Sequence, residues 1–119
     1  DAGRMGEYRE AVYSACKAGV IALSKSVARE TGRYGLRLNV VCPGLVVPPE
    51  DESISEESMW TEMRGIFTED VREKVERNYL FRRMGTAQEV ANAVVFLASD
   101  AASFITGQTL SVSGGYTMM

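Results

Sequence analysis

The sequence contains no histidine, which excludes a Ser-His-Asp triad and a histidine-ligated zinc within these residues. Cysteine is nearly as scarce. Cys16 and Cys42 form no C-x-x-C pair, so no metal site is expected. Their apolar neighbours make both of them small buried thiols by expectation, in a reducing and therefore cytoplasmic setting. Long hydrophobic runs are missing too. The longest, such as Ala93 to Ala98, fall far short of the roughly 18 apolar residues of a membrane span, and no secretory signal opens the chain. A basic stripe is also lacking, because Lys and Arg are dispersed and the net charge is -3, which argues against a nucleic-acid partner. No initiator Met precedes Asp1, so the start of the protein is expected to lie upstream.

What is present has the composition of one globular unit, 119 residues with 45% hydrophobic content. From Ala11 to Tyr34 a helical period sets Cys16, Val20, Leu23 and Val27 on one stripe, with Ile21 and Ala28 on the neighbouring one, and Gly32 and Gly35 offer stops. Leu36 to Cys42 has the length and residue types of a core strand, closed by Pro43-Gly44. Between Glu50 and Glu76 ten acidic residues face three basic ones, leaving the remainder net positive by four. Within that segment Met59, Met63, Ile66 and Phe67, then Val71, Val75 and Tyr79, recur at helical spacing, so two short amphipathic helices are expected.

Thr86-Ala-Gln-Glu89 has capping-box spacing and predicts a helix from Ala87, with Val90, Val94, Leu97 and Ala98 on its apolar face and Ala91 and Val95 widening it. Thr109 to Ser113 alternates as a strand and stops at Gly114-Gly115. Helix, strand, helical insertion, helix and strand in this order imply an α/β chain with a parallel sheet. Two strands cannot by themselves bury both faces of such a sheet, so these residues are expected to belong to a larger fold.

Tyr13 and Lys17 lie four residues apart, one turn along the same helix face. A phenol is a weak base at neutral pH, a cation held beside it favours the phenolate, and the pair can then pass a proton to or from an alcohol. The same spacing also suits a tyrosine on a core stripe beside an exposed lysine.

Three stretches decide between these readings. Tyr13-Ser-Ala-Cys-Lys-Ala-Gly19, Leu38-Asn-Val-Val-Cys-Pro-Gly44 and Ile105-Thr-Gly-Gln-Thr-Leu-Ser-Val-Ser-Gly-Gly115 resemble, in order, the C-terminal half of a short-chain dehydrogenase/reductase. The resemblance implies the C-terminal part of a Rossmann-like doubly wound parallel sheet with a helical substrate lid at about 47–84, and a single domain whose N-terminal cofactor-binding half is absent from residues 1–119. It implies that Tyr13 is the general acid/base and that Lys17 binds the nicotinamide ribose and supports Tyr13. Pro43, Gly44 and Val46 are implied to border the nicotinamide of NAD or NADP. Where the family commonly has a threonine, this chain has Pro48, which removes one hydroxyl contact.

Within the family, Asp1-Ala-Gly-Arg4, Glu10 to Lys17, Asn39 to Gly44 and Phe104 to Gln108 resemble dehydrogenases of 2-hydroxycyclohexanecarboxyl-CoA and related hydroxyacyl-CoA thioesters, with 3-oxoacyl-carrier-protein reductases as relatives. The expectation is an oxidoreductase exchanging a secondary alcohol and its ketone, active as a homotetramer or homodimer when intact and inactive as these residues alone. In the lid, Trp60, Met63 and Phe67 are candidates for contact with an apolar substrate or for packing among themselves. The family's substrate-binding Ser would stand immediately before Asp1, and the glycine-rich pyrophosphate turn and ribose selector would lie further upstream. The alternative is a non-catalytic chain that acts as a structural partner in an oligomer.

Overall fold

The structure is a computed structural model that describes residues 1–49 and 53–119. A short helix α1 (Ala2–Met5) precedes the long α2 (Ala11–Thr31), which tightens into a 3-10 turn over Gly32–Tyr34 and ends at Gly35. Strand β1 (Val40–Pro43) follows, then α3 (Met59–Met63), α4 (Glu69–Glu76), α5 (Ala87–Ala98) and β2 (Thr109–Val112). The strands pair in parallel with Val40 opposite Thr109 and Pro43 opposite Val112, and α5 packs on both of them. A parallel pair needs a long crossover, and residues 44–108 supply it. Helix, parallel strand and covering helix make this an α/β chain with the layering expected from its sequence.

Strand β1 is shorter than the apolar run Leu36 to Cys42 predicts. Bonds that would extend the ladder go to side chains instead: Leu38 N–H donates to Thr106 Oγ1 at 3.0 Å. The Arg37 guanidinium turns toward the end of α5 and donates to the carbonyls of Leu97 at 2.6 Å, Ala98 at 3.2 Å and Ser99 at 3.2 Å. These are acceptors that a helix leaves unpaired in its last turn, and a cation is favourable there. Asn39 is also diverted, giving its side-chain NH₂ to Ile105 O at 2.9 Å and accepting from Gln108 N–H at 3.1 Å. The side chains of Thr106 and Asn39 thus take the N–H groups of Leu38 and Gln108, and the ladder begins at Val40.

The core is small. Ala28, Cys42, Tyr79, Met84, Leu97 and Ala102 are buried, with Ser113 and Thr117 as buried polar residues. Cys42 is buried as expected, whereas Cys16 is exposed. The expectation for Cys16 fails because the stripe of α2 that carries it, including Val20 and Leu23, is covered by no element among the described residues. Val94, Val95 and Phe104 are likewise exposed.

The two short amphipathic helices expected in the acidic segment form at α3 and α4, although the predicted stripes extend past them. Ile66 lies beyond α3 and is exposed, and Tyr79 lies beyond α4 in a turn. Of the acidic segment, Glu50, Asp51 and Glu52 lie outside the described residues, as does the side chain of Met59. No helix of the described residues is long and apolar enough to cross a membrane.

The capping box on α5 is complete. Thr86 Oγ1 accepts from Glu89 N–H at 3.3 Å, and Glu89 Oε2 accepts from Thr86 N–H at 2.9 Å. Arg83 adds a bidentate pair to the same carboxylate at 2.6 and 2.9 Å. The Arg83 guanidinium, then the Thr86 backbone N–H, hold the Glu89 carboxyl down at about 2, against an ordinary 4.5. A carboxylate held low in the folded state stabilises the fold fully above the ordinary value and loses that contribution as pH falls toward 2. The pair is exposed, so the effect is modest and salt-screened. Glu89→Gln is therefore expected to lower Tm at neutral pH, with the gap to wild type closing as acid approaches pH 2. A gap that stays constant down to pH 2 contradicts this.

Candidate active site

Helix α2 starts at Ala11, so Tyr13 falls in its first turn and Lys17 in its second. The one-face placement holds in three dimensions: Lys17 Nζ stands 5.2 Å from the centroid of the Tyr13 ring, within range of cation–π attraction. Two contacts fix this stretch. Glu7 N–H donates to Ser14 Oγ at 3.2 Å, and α1 lies so close that a Cβ on Gly3 would stand 2.6 Å from the backbone carbon of Lys17.

A cleft of about 950 Å³ opens beside the first turn of α2. Its walls are Tyr13, the strand end Pro43 to Val46, the crossover residues Trp60, Met63, Val75, Asn78 and Tyr79, and Glu7, Arg9 and Tyr116. Four of the five residues singled out in the sequence, Tyr13, Pro43, Gly44 and Val46, line this one space. Lys17 does not line it and stands behind Tyr13, one turn further along α2. Trp60 and Met63 reach the cleft wall. Phe67 instead packs edge-to-face on Trp60, with ring centroids 5.9 Å apart at 89°. No group of Cys, Asp and Glu able to hold a metal ion occurs among the described residues.

Three residues of the wall were not legible as site residues. Tyr79 is buried, and its hydroxyl accepts from Leu45 N–H at 2.8 Å. Tyr116 stacks on Tyr79 with centroids 5.2 Å apart and planes inclined by 21°. Its hydroxyl donates to Glu7 Oε1 at 2.5 Å, and this bond to a carboxylate, aided by partial burial, pushes the Tyr116 phenol up to about 12. Glu7 and Tyr116 are 109 positions apart, a separation that leaves no local pattern to detect. Tyr79 gave only its place in a helical stripe.

A parallel α/β layer with a Tyr-Lys pair on a helix beside the C-terminal end of a strand belongs to the Rossmann-like class. The family model described as enoyl-(acyl carrier protein) reductase matches residues 1–117, and the chain belongs to the short-chain dehydrogenase/reductase family. It is 43% identical over 117 residues to the 3-oxoacyl-(acyl-carrier-protein) reductase of Escherichia coli, covering 98% of this chain and 43% of that protein. It is equally 43% identical, over 115 residues, to the acetoacetyl-CoA reductase of Synechocystis, covering 96% of this chain and 42% of that protein. A crystal structure of a short-chain dehydrogenase/reductase from Brucella melitensis, titled a glucose/ribitol dehydrogenase, superposes with a TM-score of 0.79 at 30% identity, over 99% of this chain and 42% of that one. The chain thus spans less than half the length of the relatives it matches.

Proposed function

We propose that the intact protein is an NAD(P)-dependent oxidoreductase that interconverts a secondary alcohol and its ketone, with a 3-oxoacyl thioester as the ketone. The observation that carries this reading is the convergence of Tyr13, backed by Lys17, and the strand end Pro43 to Val46 on one cleft. The thioester is supported by the names of two relatives at 43% identity, both of which reduce a 3-oxoacyl thioester. The hydroxyacyl-CoA resemblance noted in the sequence belongs to the same reaction seen from the alcohol side.

The residues present suit a nicotinamide nucleotide. A phenol and the backbone of a strand end line a space of about 950 Å³, which admits both a nicotinamide and an acyl group, and the Lys17 ammonium stands 5.2 Å from the centroid of the phenol ring. In this reading Pro43, Gly44 and Val46 border the nicotinamide, and Lys17 holds its ribose hydroxyls. When bound, the cofactor supplies or accepts the hydride. Tyr13 donates a proton to the carbonyl oxygen during reduction and withdraws it from the hydroxyl during oxidation. Lys17, behind the ring, stabilises negative charge on the phenol oxygen as that proton leaves. Trp60, Met63 and Val75 form an apolar wall suited to an acyl chain.

Residues 1–119 then form the C-terminal portion of a single domain, with 47–84 as its lid. The exposed apolar residues Val20, Leu23, Val94, Val95 and Phe104 suit a homodimer or homotetramer. The test is reduction of acetoacetyl-CoA and of acetoacetyl-carrier protein by the intact protein, followed by loss of reduced-nicotinamide absorbance with NADH and NADPH in turn. Turnover with one of the two cofactors is expected. Absence of turnover with both, by protein that is folded, contradicts the reading.

A further inference from the structure

We infer that Tyr79 is a positioning residue that fixes the strand end 43–46 on the cofactor side of the cleft, an inference that rests on the reading just proposed. The argument starts from Leu45, whose two backbone groups are both held by the end of the lid. Its N–H donates to Tyr79 Oη at 2.8 Å, and its carbonyl accepts from Gly85 N–H at 3.3 Å. The parallel bridge between Val46 and Gly85 continues the same contact. Residues 79–85 therefore clamp the segment that follows β1.

Tyr79 cannot shift freely to relax this clamp. A Cβ on Gly44 would stand 3.0 Å from Tyr79 Cε1 and 3.3 Å from its hydroxyl, so the absence of a side chain at Gly44 is what lets the ring approach. On its other face the ring stacks on Tyr116. Tyr79 is 4% exposed, and its hydroxyl is the acceptor for a backbone N–H that the ring itself shields from water. A buried, stacked tyrosine thus joins the lid to the strand end that borders the nicotinamide. Tyr79 acts through the backbone of Leu45 and takes no part in proton or hydride transfer.

The test uses intact wild type and three variants. Tyr79→Phe keeps the ring and removes the acceptor. Gly44→Ala pushes on the ring from the opposite side. Tyr116→Phe breaks the bond to Glu7 and leaves the Tyr79 hydroxyl in place. Amide exchange at Leu45, measured without cofactor, is expected to speed up roughly fivefold in Tyr79→Phe and Gly44→Ala, the size of one lost backbone hydrogen bond. It should stay at the wild-type rate in Tyr116→Phe. Titration with reduced nicotinamide cofactor should show Kd raised several-fold in Tyr79→Phe, with kcat at saturating cofactor changed much less.

Unchanged Leu45 exchange in Tyr79→Phe overturns the inference, and so does an equal rise in Tyr116→Phe, which marks general loosening. Faster Leu45 exchange with an unaltered cofactor Kd removes the positioning role while leaving the proposed function standing. Failure of wild type itself to bind either nicotinamide cofactor removes the functional reading and the inference with it.

Discussion

Replacing Tyr13 by Phe in the intact protein is expected to lower turnover by at least about a hundredfold, because general acid/base catalysis contributes about 10² to 10⁴. The substitution removes one oxygen and keeps the ring. Tyr13 is 53% exposed and lines the cleft, so its hydroxyl supports no buried network whose loss would unfold the protein. Tm should therefore stay close to wild type, and cofactor affinity should change little. Lys17→Met has a different signature. Loss of the ammonium behind the Tyr13 ring should reduce turnover and also weaken cofactor binding by roughly tenfold or more, the size of a lost charge-assisted hydrogen bond. Steady-state kinetics with a cofactor titration separate the two variants. A folded Tyr13→Phe protein that keeps most of its activity makes Tyr13 a wall residue without a chemical role.

The residues of this pair were legible in the sequence because their relation is local. A four-residue spacing on a helix fixes the relative placement of two side chains whatever surrounds them. Helix α5 was legible for the same reason, since its start depends on Thr86 and Glu89, and both halves of the capping box form. Strand β1 was legible only in part. Its composition announced a strand from Leu36, but the N–H of Leu38 goes to the side chain of Thr106, 68 positions away, and nothing near Leu38 in sequence reports that demand.

Cys16 marks a different limit. An apolar stripe records which face of a helix is suited to burial, not which element covers it, and the stripe of α2 stays uncovered among the described residues. The cleft falls between these cases. Tyr13 and Pro43 to Val46 carry recognisable motifs, and the structure brings them to one space. Tyr79 and Tyr116 reach that space through contacts with Leu45 and Glu7 that no motif encodes.

Gly3 tests whether the placement of Lys17 depends on the close packing of α1 against α2. A Cβ added at Gly3 would stand 2.6 Å from the backbone carbon of Lys17, 2.7 Å from the nitrogen of Ala18 and 2.7 Å from the Lys17 Cβ. None of these atoms can rotate aside, so in Gly3→Ala the two helices must separate. Helix α1 has little room to give, because Arg4 donates to Ser111 Oγ at 2.7 Å and Ser111 donates in turn to Asp1 Oδ1 at 2.5 Å, tying α1 to β2. The displacement therefore falls on the turn of α2 that carries Lys17.

Overpacking of this kind costs about 1–3 kcal/mol, so Tm of the intact protein should fall by several degrees. Turnover and cofactor affinity should fall with it at temperatures where the protein remains folded, since the ammonium moves relative to the Tyr13 ring. Gly32→Ala is the matched control: Gly32 has helical angles, φ -55 and ψ -35, and a Cβ there meets nothing within 4 Å among the described residues. That substitution should raise Tm slightly by restricting the unfolded chain, and it should leave activity alone. If Gly3→Ala lowers Tm while kcat and cofactor Kd match wild type below the melt, the α1 contact stabilises the fold without setting the position of Lys17.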